Sequence, residues 1–147
     1  MTKVKVFNAL QPPSDAEKQK IVQFLKENLE QYGDAAQDIR RAIDYSVKEI
    51  ISFGGFTLVA EEGGEIAGAV VVNRTGMSGY IPENILVYIA THKDMRGKGI
   101  GKKLMDEALH NAKGDIALHV EANNPAKFLY EKYGFTNPYL EMRLKRN

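Results

Sequence analysis

The sequence predicts a single α/β domain spanning residues 1–147, and three observations predict it. The 147-residue length is the usual size of one domain, enough to bury one core against the entropy of ordering it. The first half carries two apolar stripes at helical spacing, followed by two β-rich runs joined by a turn. The second half alternates strand, helix, strand, helix, strand, with no internal repeat, low-complexity tract or linker.

Val4, Val6 and Ala9 alternate with polar neighbours as a short first strand that Pro12-Pro13 ends. Ser14 with Glu17 reads as a capping box, and Ile21, Phe24, Leu25 and Leu29 continue a helix to about Tyr32-Gly33. Asp34 with Gln37 repeats the capping pattern, and Ile39, Ile43, Val47 and Ile50 form the stripe of a second helix ending before Gly54-Gly55. The runs 56–60 and 66–72 flank Glu61-Glu62-Gly63-Gly64-Glu65 and read as an antiparallel hairpin. The turn-rich loop 73–82 follows, with Met77 and Tyr80 as exposed candidates beside a site.

Ile85 to Thr91 is nearly all apolar or β-branched, as expected of a central strand buried on both faces. Beyond a glycine-rich turn, Ile100, Leu104, Met105, Ala108, Leu109 and Ala112 mark one side of a helix that Gly114 stops. Residues 116–120 form a strand, Asn124-Pro125 opens a short helix that Gly134 ends, and 139–144 alternates as a closing strand.

Composition excludes several classes of function. A net charge of +1 with interspersed signs gives no general field for a nucleic-acid backbone, so any phosphate binding is local. With no cysteine there is no disulfide framework, acyl-cysteine intermediate or thiolate zinc site. His92, His110 and His119 lack metal-ligand spacing, and no metal is expected. The amino terminus lacks the apolar region of a signal peptide and no stretch has the length of a membrane span, so a soluble, cytoplasmic protein without membrane partners is expected.

A buried strand followed by Arg96-Gly97-Lys98-Gly99-Ile100-Gly101 and a helix can point several backbone amides outward as an anion nest. Glycine reaches positive φ and lets a phosphate approach closely, and Arg96, Lys98, Lys102 and Lys103 add positive charge. By itself such a turn is equally a tight loop with solvated cations. It is not a P-loop, because the second glycine that spacing requires is replaced by Lys102, and it is not the dinucleotide fingerprint, because Lys102 and Leu104 occupy the third-glycine positions.

The remaining pattern, Arg-x-x-Gly-x-Gly at Arg96, Gly99 and Gly101, resembles the pyrophosphate-binding motif of the GNAT superfamily of acyl-CoA-dependent N-acyltransferases. Thr91-His92-Lys93 stands where members often have Val-x-Pro, a mild departure. A second segment, Asn123 to Phe135, carries Asn-x-x-Ala-x-x-Leu-Tyr-x-Lys-x-Gly-Phe and is similar to the superfamily's other motif, one strand further on.

The resemblance implies a mixed, largely antiparallel sheet flanked by about four helices, with two central parallel strands splaying apart at their C-terminal ends. It implies acetyl-CoA in that gap, held by the backbone of Ile89, Ala90 and Thr91, by residues 97–102 (Gly97, Lys98, Gly99, Ile100, Gly101, Lys102) and by Asn123 and Ala126. Tyr130 matches the residue whose phenol protonates the departing thiolate; its competing reading is a core tyrosine with a backbone partner. Glu83 is the first candidate for a water-mediated base, against an ordinary exposed loop glutamate, with Glu141 and His119 behind it.

The implied activity is direct transfer of an acetyl group from acetyl-CoA to a primary amine, with a small-molecule acceptor favoured over a protein lysine or N-terminus. An acyl-CoA-binding regulatory module without transfer is the alternative. Edge strands and the closing strand offer pairing between subunits as a homodimer, which nothing in the sequence specifies.

Overall fold

The computed structural model describes residues 2–146. Strand β1 (Lys3–Phe7) stops before Ala9 because the Asn8 side chain accepts from the amides of Leu10 and Gln11 and turns the chain. Helix α1 (Asp15–Asn28) starts on the predicted capping box: Ser14 Oγ accepts from the Glu17 amide at 3.1 Å and Glu17 Oε1 from the Ser14 amide at 2.9 Å. A tight helical turn, Glu30–Tyr32, follows, with Glu30 at φ +56°.

Helix α2 (Ala36–Ser46) lacks the predicted cap, because the Asp34 carboxylate accepts from the Tyr88 hydroxyl instead of from an amide of the helix. It also ends short of Ile50: Lys48 adopts φ +60°, and Ile50 and Ile51 are exposed. The buried ammonium of Lys18 joins the two helices, 2.6 Å from Asp44 Oδ1 and 2.7 Å from Glu49 Oε2. Burial disfavours this charge, but the bonds to Asp44 and Glu49 outweigh burial and raise the Lys18 pKa.

Strands β2 (Gly55–Glu62) and β3 (Glu65–Arg74) form the expected hairpin, and β4 (Asn84–Thr91) continues the sheet antiparallel to β3. Helix α3 (Ile100–Asn111), strand β5 (Ile116–Ala117) and helix α4 (Lys127–Lys132) complete the elements, in a sheet of order β1-β2-β3-β4-β5. Period-2 alternation sends side chains to opposite faces. Val59, Ala69, Val71, Tyr88 and Ala90 pack under α1 and α2, whereas Leu58, Ala60, Val70, Val72 and Leu86 pack under α3 and α4. Gly68 lets α3 settle onto the sheet, since a Cβ there would lie 2.6 Å from Leu104 Cδ1.

Among the described residues only β5 runs parallel to its neighbour, and it pairs only as Asn84↔Ile116 and Ile85↔Ala117. The strand expected over 116–120 is therefore cut short where β4 and β5 part. The closing strand expected over 139–144 is absent from the sheet, and Tyr139, Leu140, Met142 and Leu144 are exposed. Alternation specifies which side chains share a face, not which edge will pair with them. Among the described residues no helix is long and apolar enough to cross a membrane.

Candidate active site

Beyond Ile85 the β5-facing edge of β4 has no strand beside it among the described residues. In an antiparallel pair, residues alternate between bonding the neighbour and pointing away from it. The His92 amide donates to Ala67 O at 2.8 Å, so the alternation turns the N–H and C=O of Thr91 and Ile89 towards the splay, while Ala90 faces β3. Just before them the register passes from Val71↔Tyr88 to Val72↔Leu86, leaving Val87 as the extra residue of a bulge. The bulge re-aims the strand where its edge becomes free.

The chain then enters the glycine-rich turn. Gly97 at φ +84° and Gly99 at φ +80° occupy the left-handed region with open space where a Cβ would stand, so glycine is required there for its dihedral. Gly99 caps α3 without a side-chain bond, and the first amide of the helix with a partner is Lys103, donating to Gly99 O at 3.0 Å. Among the described residues, the amides of 97–102 have no protein acceptor. These free donors and the positive end of α3 form an electropositive cradle suited to a pyrophosphate.

The side chains around this cradle divide. Ile100 is buried against the sheet and seats the first turn of the helix. Gly101 faces Thr91, whose Oγ1 would lie 3.4 Å from a Cβ at 101. Lys98 is exposed without an ion-pair partner among the described residues, and Lys102 pairs with Asp106 at 3.1 Å. Arg96 is turned away from the cradle: its guanidinium donates to Asn28 O at 3.3 Å and Glu30 Oε1 at 3.2 Å, at the end of α1. Asn28 secures the same junction, its Oδ1 accepting from the Lys93 amide at 2.9 Å.

Across the splay, Asn124 Oδ1 accepts from the Ala126 amide at 2.9 Å and turns the chain ahead of α4, but the helix itself starts at Lys127 with Ala126 as its cap residue, two positions later than the Asn-Pro signal predicts. Helix α4 is fixed to α3 by Tyr133, whose hydroxyl donates to Asp106 Oδ1 at 2.6 Å. That bond lowers the Asp106 pKa. Tyr130 is buried in the core that also includes Ile89 and Ala126, with its ring edge-on to Phe135 at 5.9 Å. Its hydroxyl makes no hydrogen bond to protein among the described residues, and burial pushes its pKa up to about 12. The phenol thus keeps its proton at neutral pH and points it at no protein acceptor. Asn123 is exposed, and its carbonyl accepts from the Tyr32 hydroxyl at 3.3 Å.

Glu83 lies elsewhere. Its Oε1 accepts from the Asp115 amide at 3.2 Å and its carboxyl packs on Gly114, at the closed end of the β4–β5 pair. A contact that sequence reasoning missed joins Tyr88 of β4 to Asp34 of the loop before α2. Its trace in the sequence is a polar phenol between the apolar Val87 and Ile89.

The family model for the acetyltransferase (GNAT) domain matches residues 54–137, more than half of the chain. A Pseudomonas phage protein described as a 5-NmdU N-acetyltransferase is 31% identical over 84 residues, covering 56% of this chain. The chain spans 58% of that relative's length. A GNAT-family acetyltransferase of Streptococcus pneumoniae superposes with TM-score 0.70 at 18% identity over 100% of both chains. A protein described as a transcriptional regulator of Bacillus halodurans superposes with TM-score 0.67 at 21% identity, over 98% of this chain and 100% of its own. These two structures share the fold. With the family match over the splayed strands, the glycine-rich turn and the Tyr130 helix, they lead to one conclusion: the chain belongs to the GNAT acetyltransferase family.

Proposed function

We propose that this protein transfers the acetyl group of acetyl-CoA to the primary amine of a small molecule. The observation that carries this reading is the convergence at the open end of β4: free backbone groups at Ile89 and Thr91, free amides at 97–102, and the unpartnered phenol of Tyr130. The amides would hold the pyrophosphate, and the strand edge would pair with the amides of the pantetheine arm as an added strand does. Acetyl-CoA supplies a thioester carbonyl and a thiolate leaving group.

Holding the two substrates together removes much of the entropic cost of their encounter, and a backbone N–H of the free β4 edge, at Ile89 or Thr91, polarises the carbonyl. As the C–N bond forms and the C–S bond breaks, the Tyr130 proton passes to sulfur, the amine gives up its own proton to water, and water returns a proton to the phenolate. Glu83, held at the closed end by the Asp115 amide, has no part in this scheme. A small acceptor is favoured by the Tyr32–Asn123 hydrogen bond, which ties the turn after α1 to the loop before α4. The phage N-acetyltransferase that the chain resembles supports amine acetylation as the chemistry.

The test is calorimetry with acetyl-CoA, ATP and NAD side by side, followed by an amine screen read by release of free CoA. Preferential binding of acetyl-CoA with amine-dependent release is expected. Preference for ATP, or acetyl-CoA binding without release in the presence of any amine, refutes the proposal.

A further inference from the structure

The segment between α1 and α2 is tied in turn to three walls of the splay. Glu30 binds Arg96 beside the glycine-rich turn, the Tyr32 hydroxyl bonds Asn123 O in the loop before α4, and Asp34 accepts from Tyr88 on β4. Residues 30–34 therefore form a strap across the open end of the parallel pair. Asp34 is the exposed member of a fixed pair: Tyr88 is buried, while Asp34 Oδ1 has no protein partner among the described residues. Lys26 donates to the Asp34 backbone carbonyl at 3.1 Å, and the carboxylate itself has no ion-pair partner among the described residues.

We infer that Asp34 reads the acceptor as a cation, holding the ammonium of an incoming primary amine above the splay, and that Tyr88 is the positioning residue that aims its carboxylate. The inference rests on the transferase reading and names the acceptor class within it: small primary amines that are protonated at neutral pH. Burial and then the Asp34 carboxylate raise the Tyr88 pKa, so the phenol stays a donor. One carboxylate oxygen accepts from Tyr88, which the sheet fixes, and the other, on an exposed residue, has no protein partner among the described residues. The amine attacks only after losing its proton, so the ion pair serves capture of the acceptor and not the chemical step.

The test uses the full chain with acetyl-CoA and putrescine, spermidine, lysine or kanamycin as acceptor, reading CoA release and, separately, acetyl-CoA affinity by calorimetry. Asp34→Asn is expected to raise KM for the amine by about 3- to 30-fold, with kcat and acetyl-CoA affinity little changed. Tyr88→Phe moves KM the same way by less, and Asp34→Glu restores part of the loss. An unchanged amine KM in Asp34→Asn overturns the inference and leaves the transferase reading intact. Acetyl-CoA binding with no release on any of these cationic amines also overturns it. Failure of the wild-type chain to bind acetyl-CoA removes the transferase reading and the inference together.

Discussion

Replacing Tyr130 by phenylalanine removes one oxygen from the centre of the proposed site with little else disturbed. The hydroxyl has no protein partner among the described residues, so no buried group loses a bond, and the ring keeps its edge-on contact with Phe135. The change in unfolding free energy should stay below about 1 kcal/mol. Loss of a general acid costs about 10² to 10⁴ in rate, equivalent to roughly 3 to 5 kcal/mol of barrier. Acetyl-CoA affinity should hold, because the donors that would grip the pyrophosphate lie in residues 97–102. Single-turnover release of CoA thiol measures the chemical step, and calorimetry measures the binding. A thioester with a more acidic thiol should recover part of the lost rate. Single-turnover rates within about threefold of wild type, with intact binding, would refute the assignment of Tyr130 as proton donor.

Gly99→Ala places a Cβ in open space but at φ +80°, so it strains the backbone of the cradle by about 1–2 kcal/mol; acetyl-CoA affinity should weaken several-fold in titration with little loss of fold by circular dichroism. Gly68→Ala drives a Cβ to 2.6 Å from Leu104 Cδ1 and 3.1 Å from the Ala90 carbonyl, and thermal denaturation should show Tm lower by roughly 3–10 °C. Lys18 has its folded pKa raised above the unfolded value, so its stabilisation is fully present below about pH 10 and is lost as pH rises through the folded value. Denaturant midpoints should fall on that alkaline limb in the native chain, and a Lys18→Met variant should lack this contribution.

What could be read from the residues in advance was what depends on near neighbours. The Ser14–Glu17 box, the stripe of α3 and the Asn124 turn rest on spacings of a few residues, and each formed. The glycines of the turn were legible for the same reason, since their dihedrals belong to single residues. Where a distant partner competes, local spacing loses. Asp34 bonds Tyr88, 54 positions away, and gives up the cap of α2. Arg96 bonds the end of α1, 68 positions away, and Glu83, the candidate base, bonds the Asp115 amide, partners that spacing along the chain does not announce. The alternation over 139–144 was likewise genuine as a pattern, but no strand edge received it.

The early parting of β4 and β5 leaves a row of peptide groups along β4 whose bonding capacity is independent of the side chains attached to them. Positions 89 and 91 can therefore exchange one residue for another of similar bulk without altering the donors and acceptors they present. Under the proposed acetyl-CoA reading, side chains there could change to suit new acceptors while the backbone groups offered to the pantetheine arm stay the same. Proline is the exception, because it alone would erase a donor from the row.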